Sequence, residues 1–139
     1  MALTADRQTV DKQGGLVDYP VEGGVKIFKG ALLKFNANGF IEPVTAEASA
    51  TFAGIAFEAA DNTDGGDGDI TCRVVKEGSV LLTGTGFTQA QVDDLVYAED
   101  DEDVAIVQGA NLPEVGKIAE FVSATEVFVD LGARYRTNK

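Results

Sequence analysis

The sequence predicts an all-β fold: a compact β-barrel or sandwich-like domain with one short helix and an extended N-terminal arm. Two observations predict it. Apolar residues alternate with a period of two along much of the chain, and glycine- or aspartate-rich turns separate the alternating runs. The clearest case runs from Phe52 to Leu82. Ala53, Ile55 and Phe57 alternate with smaller neighbours. Further on, Ile70, Cys72 and Val74 point one way while Thr71, Arg73 and Val75 point the other. The linking stretch Asp61-Asn62-Thr63-Asp64-Gly65-Gly66-Asp67-Gly68 is turn chemistry, because glycine reaches positive φ freely and Asn and Asp bond their own backbone. Lys76-Glu77-Gly78-Ser79 then turns into Val80-Leu81-Leu82, so a three-stranded meander is expected.

A chain of 139 residues suits one domain. The expected divisions are an arm over 1–15, a β domain over 16–132 and a basic tail over 133–139. Sixteen glycines against three prolines fit short strands and tight turns. No apolar run approaches the ~18–20 residues that cross a bilayer, so no membrane role is expected. The opening Met1 to Gln8 lacks the basic-then-apolar order of a secretory signal. Cys72 is the single cysteine and makes no internal disulfide. On the inward face of a strand it reads as a small buried hydrophobe.

The formal charge of −12 is concentrated in the middle. Residues 58–103 hold 13 acids against only Arg73 and Lys76, while the remainder nearly balances. Nucleic-acid binding needs cationic side chains to displace counterions, so an acidic middle argues against it.

Taken in order, residues 2–15 show neither helical nor strand period. They are either a disordered terminus or an arm that orders against a partner. Leu16 to Val21 is a short strand whose Pro20 donates no hydrogen bond, so it belongs at a sheet edge or a strand end. Strands follow at Val25–Phe28 and Ala31–Phe35. Asn36-Ala37-Asn38-Gly39 signals a hairpin returning through Phe40–Val44. Thr45 to Thr51 is a polar loop with scope for a helical turn. Thr83-Gly84-Thr85-Gly86-Phe87 lacks the Lys-Ser/Thr of a phosphate loop and reads as a plain loop. Thr88 and Gln91 have capping-box spacing and predict a short helix over 88–94. Leu95–Ala98 and Val104–Val107 are strands around the acidic turn Glu99–Asp103, and Gly109–Pro113 is a loop. The last pair, Val115–Val122 and Glu126–Leu131, sets Val127, Val129 and Leu131 on one face. Its Gly116-Lys117-Ile118-Ala119-Glu120 echoes Gly54-Ile55-Ala56-Phe57-Glu58, which reads as shared hairpin grammar and not as a solenoid repeat.

The chain has no histidine. That removes imidazole bases, Ser-His and Cys-His nucleophile pairs and imidazole metal ligands. One cysteine cannot build a thiolate zinc site. Glycoside hydrolysis by a carboxylate pair lacks a tryptophan platform, and the acids cluster in turns. No catalysis and no cofactor are expected. Calcium is the one metal the residue types allow, because Asp61, Asp64, Asp67 and Asp69 lie together among glycines. Their spacing is not that of an EF-hand, and a solvated hairpin tip explains them as well. A calcium-dependent β-module binding a ligand through its acidic loops stays open as the alternative function.

Ala2-Leu3-Thr4-Ala5-Asp6-Arg7-Gln8-Thr9 resembles the opening of the capsid decoration, or cement, proteins of tailed bacteriophages. The order of later motifs is similar: Gly30-Ala31-Leu32, the turn Asn36 to Gly39, Gly54-Ile55-Ala56, and the Gly/Asp turn into a Val-rich strand over Gly65 to Gly78. Thr88 to Tyr97 and the closing pair over Val115 to Leu131 complete it. The Asp-rich turns are longer and more acidic than that pattern. The resemblance implies a structural virion protein, made in the host cytoplasm, that binds the outer face of an icosahedral head through its major capsid protein. It further implies homotrimers. The interface residues it points to are Leu3, Thr4, Asp6, Arg7, Thr9, Val10, Leu16 and Val17.

Overall fold

The computed structural model describes residues 15–45, 51–106 and 112–132. These form strands and one 3₁₀ turn, which is the all-β architecture expected. The first half contributes β1 (Leu16–Pro20), β2 (Lys26–Ile27), β3 (Leu32–Phe35), β4 (Ile41–Pro43), β5 (Thr51–Ala56), β6 (Ala60–Asp61) and β7 (Thr71–Val75). The second half contributes β8 (Ser79–Thr83), β9 (Leu95–Ala98), β10 (Val104–Ala105), β11 (Glu114–Ser123) and β12 (Glu126–Asp130). One five-stranded sheet has the order β1-β7-β5-β3-β4, the other β8-β12-β11-β9-β10, and β2 pairs with β6. All neighbours within the sheets are antiparallel.

The two large sheets therefore share one topology. Residues correspond at a constant offset of 63 through the first strand and the hairpin of each half: Leu16 with Ser79, Gly30 with Asp93, Asn36 with Glu99. Their hydrogen bonds correspond as well. Gly30 N donates to Ala56 O at 2.9 Å, and Asp93 N donates to Ile118 O at 2.8 Å. Asn36 N donates to Phe40 O and Glu99 N to Asp103 O, closing the two hairpins. The echo between Gly54 and Gly116 thus marks a repeated unit, not grammar common to any hairpin. Each glycine follows a one-residue bulge in the central strand of its sheet. A Cβ at Gly54 would lie 2.4 Å from Val74 Cγ1, and one at Gly116 would lie 2.3 Å from Asp130 O. Close backbone approach explains why glycine stands at both places.

The layers stack in one direction. The inner face of the first sheet, with Leu33, Ala53, Ala56, Cys72 and Val74, packs against Ile27 and Ala60 of the small β2–β6 ribbon. Its other face, with Leu32, Phe52 and Ile55, covers Val96, Val115, Ile118, Val127 and Val129 of the second sheet. Phe52, Ile55 and Val75 have Glu114, Lys117 and Asp130 as their counterparts in the second half. Charge stands where no further sheet follows, so the stack ends at two sheets.

Four further expectations are corrected. Ala53 and Ile55 face opposite layers, because the bulge at Ala53 inserts an extra residue and shifts the alternation. Phe57 lies past the end of β5 and is exposed. Val80–Leu82 does not complete a meander, because the turn after β7 carries β8 across to the edge of the second sheet. The helix over 88–94 is a single 3₁₀ turn, Gln89–Gln91. Thr88 N does donate to Gln91 Oε1 at 3.0 Å, but Val92 is extended and Asp93 takes φ +79°, which ends the turn. The Asn36–Gly39 hairpin and the burial of Val127, Val129 and Leu131 are as expected. The expected strand Val104–Val107 is seen as Val104–Ala105, and Val107, most of the loops after Thr45 and after Val107, and the tail over 133–139 lie outside the described residues.

Candidate interaction surface

Of the interface residues expected from sequence, Leu3, Thr4, Asp6, Arg7, Thr9 and Val10 lie outside the described residues. Leu16 and Val17 open β1, which pairs with β7 on one side and forms an edge of the first sheet, as Pro20 predicted. Leu16 opposes Val75 on the face turned to the second sheet and is 38% exposed, whereas Val17 opposes Val74 on the inner face and is half-buried. The chain enters β1 at Gly15, whose carbonyl accepts from Lys76 N at 2.6 Å.

Below that entry the strand is fixed firmly. Lys76 Nζ donates to Tyr19 Oη at 2.7 Å and stands 5.1 Å from the Tyr19 ring centroid. Tyr19 packs edge-on against Phe35 at 5.0 Å. The same ammonium lies 5.8 Å from the Phe35 ring centroid. On the other side of the sheet, the side of Leu16 and Val75, Asp18 and Arg73 form an exposed cross-strand ion pair at 3.3 Å.

The acidic loops are held together by their own carboxylates. Asp61 accepts from the backbone and hydroxyl of Thr63, and the hydroxyl bond foremost holds its carboxyl below the ordinary value. Asp67 Oδ1 accepts from Gly23 N and Asp69 Oδ2 from Gly66 N, each at 2.8 Å. Beneath them the buried Asn62 amide donates to the carbonyls of Val21, Glu22 and Gly66. In the second acidic turn, Asp100 Oδ1 accepts from the backbones of Glu102 and Asp103, and Asp103 accepts from the Thr83 hydroxyl at 2.6 Å. These are turn-forming bonds of the kind Asp makes in any loop. Among the described residues no group of three carboxylate, thiol or imidazole side chains is arranged to hold a metal.

Cys72 is fully buried on the inner face, and its Sγ donates to Glu58 O at 3.4 Å. Burial, with the Glu58 carboxylate adding to it, pushes the thiol up to about 11. So protonated and enclosed a thiol is a packing group, as its strand position indicated.

One feature escaped the sequence reading. A cleft of about 540 Å³ opens at the seam between the halves, lined by Phe28 and Lys29 of the first half and by Leu81, Asp101 and Glu102 of the second. Phe28 is 61% exposed and Leu81 is 47% exposed. Alternation sets Phe28 on the face of Lys26 and Leu81 on the face of Ser79 and Thr83, and only the crossing of β8 to the second sheet brings the two together.

Neither the family models, nor the curated proteins, nor the solved structures with which the chain was compared give a match.

Proposed function

We propose that this protein is a structural decoration protein that binds the outer surface of a tailed-phage head and stabilises it, in homotrimeric groups. The observation that carries the reading is the ordered run of sequence motifs, from Ala2–Thr9 through Gly54–Ala56 to Val115–Leu131, along nearly the whole chain. The all-β body supports it, because a stiff domain of packed sheets suits bracing work. The edge position of β1 also supports it: residues 2–14 lead directly into a strand whose outer side has hydrogen-bonding groups to offer a neighbouring chain. In this reading the arm lies along neighbouring capsid subunits, and many modest contacts add up through multivalency.

The test is protection of the shell. Mature heads lacking this protein are heated or moved to low salt with and without it, and genome release is followed by nuclease sensitivity. Saturable protection supports the role, and heads that release their genome equally in both samples overturn it.

A further inference from the structure

Five asparagines stand in the chain, and one of them, Asn38, is followed by glycine. That pairing matters chemically. A side-chain amide is lost through attack by the next residue's backbone nitrogen, and glycine has no side chain to shield that nitrogen. The described asparagines differ in how they are held. Asn62 is buried, and its amide donates to the carbonyls of Val21, Glu22 and Gly66. Asn36 donates to Glu22 Oε1, while its Oδ1 accepts from Asn38 N and Phe40 N. Asn38 is exposed at the tip of the hairpin, and its side-chain amide makes no hydrogen bond among the described residues.

The turn sets how readily Gly39 can attack. Gly39 N donates to Asn36 O at 3.1 Å, and Gly39 takes φ +87°, the left-handed residue that closes a three-residue hairpin loop. One exposed bond of that length restrains the nitrogen only lightly. A Cβ at Gly39 would meet nothing within 4 Å, so no neighbouring group crowds the tip. The two bonds accepted by Asn36 Oδ1 are the stronger hold on the loop.

We propose that Asn38 is a site of spontaneous modification, converted to aspartate and isoaspartate as the protein ages. Gly39 N gives its proton to hydroxide and attacks Asn38 Cγ. The new N–Cγ bond closes a succinimide ring, the Cγ–Nδ2 bond breaks, and the amide nitrogen takes a proton from water and leaves as ammonia. Water then opens the ring at either carbonyl. Attack at Cγ gives aspartate, and attack at the main-chain carbonyl carbon gives isoaspartate. The second half shows which product the fold accepts. Asn38 corresponds to Asp101 at the constant offset between the halves, so an ordinary aspartate suits the tip of this hairpin. Isoaspartate does not, because it routes the main chain through Cγ and adds a methylene between Asn36 O and Gly39 N. Both products add a negative charge, and one of them opens the β3–β4 turn.

The experiment is peptide mass mapping of the full chain held at mildly alkaline pH, with wild type beside Asn36→Ala and Asn38→Asp. The expected result is an exchange of NH₂ for OH at Asn38 that runs severalfold ahead of any at Asn36 or Asn62. An isoaspartate-specific methyltransferase labels the same peptide. Asn36→Ala removes both bonds that hold the loop and speeds the conversion of Asn38 severalfold. Circular dichroism adds a readout of the fold: Asn38→Asp melts with fresh wild type, and aged wild type melts lower in proportion to its isoaspartate. An Asn38 that stays intact while Asn36 or Asn62 converts overturns the proposal, as does conversion at Asn38 no faster than at Asn62. An unchanged rate in a folded Asn36→Ala overturns the control assigned to the turn.

Discussion

Asp93 occupies in the second half the place of Gly30 in the first, and it has taken glycine's conformation, with φ +79° against +89°. Both backbones donate to the equivalent carbonyl of the central strand, at Ile118 and at Ala56. The left-handed region costs a residue with a Cβ roughly 1–2 kcal/mol, offset in part by the larger entropy that glycine loses on folding. Asp93→Gly is therefore expected to stabilise the protein by about 0.5 kcal/mol. Gly30→Ala should cost about 1 kcal/mol, although its Cβ would meet nothing within 4 Å. Urea midpoints moving in opposite directions at constant slope verify the equivalence.

The bulge glycines make a sharper contrast. Alanine at Gly54 meets a positive φ of +144°, the Val74 side chain at 2.4 Å and Val75 O at 2.5 Å, while alanine at Gly116 meets Asp130 O at 2.3 Å and the Val129 side chain at 3.1 Å. Neither Val75 O nor Asp130 O has room to retreat, because β7 and β12 are each paired on both sides. Each substitution is expected to cost about 3 kcal/mol or more, with Gly54→Ala the worse. Thermal unfolding of the two variants measures the order.

Lys34 is 2% exposed and its Nζ donates to Glu42 across the β3–β4 pair at 2.6 Å. Removing one member of a buried ion pair leaves an uncompensated charge, whereas removing both is close to neutral. Lys34→Met should destabilise by about 3 kcal/mol, reduced somewhat because Glu42 keeps partial access to water. Lys34→Met/Glu42→Leu should recover most of the loss. Equal losses in the single and double variants would contradict this account of the pair.

What the sequence revealed depends on how far each interaction reaches. The Asn36–Gly39 turn closes within a few residues, and Asn36 Oδ1 accepts from Asn38 N and Phe40 N, so its residue types announce it. Val127, Val129 and Leu131 sit on a regular strand, and alternation is sufficient for them. The bulge at Ala53 changes the face of every residue before it without any change in composition, and so it was not legible. The crossing of β8 was hidden because nothing in Lys76–Ser79 distinguishes a hairpin turn from a turn between sheets. The repeat was hidden for a different reason: Phe52, Ile55 and Val75 became Glu114, Lys117 and Asp130 where burial gave way to solvent. Of the expected interface, Pro20 placed β1 at an edge, whereas the cleft residues Phe28 and Leu81 required the tertiary arrangement.

Cys72 links the core to alkaline stability. Its thiol ordinarily ionises near 9 and is pushed up to about 11 by burial. The folded state holds its proton where the unfolded state releases it, so the contribution is intact below about 9 and is lost as pH rises through about 11. Tyr97, raised by burial and by Glu114, acts in the same direction. The urea midpoint should fall over this interval, and Cys72→Ala should flatten part of the fall. A disulfide reagent at neutral pH should label Cys72 only at the rate of unfolding.

The central claim is that the protein holds to a phage head through its N-terminal arm. Co-sedimentation with mature heads lacking the protein, using the full chain and a chain without residues 2–14, tests it most directly. Saturable pelleting of the full chain, with a truncated chain that remains folded but stays in the supernatant, is the predicted result. Undiminished pelleting of the truncated chain would contradict the role of the arm, and no pelleting of the full chain in any salt or calcium condition would contradict the claim itself.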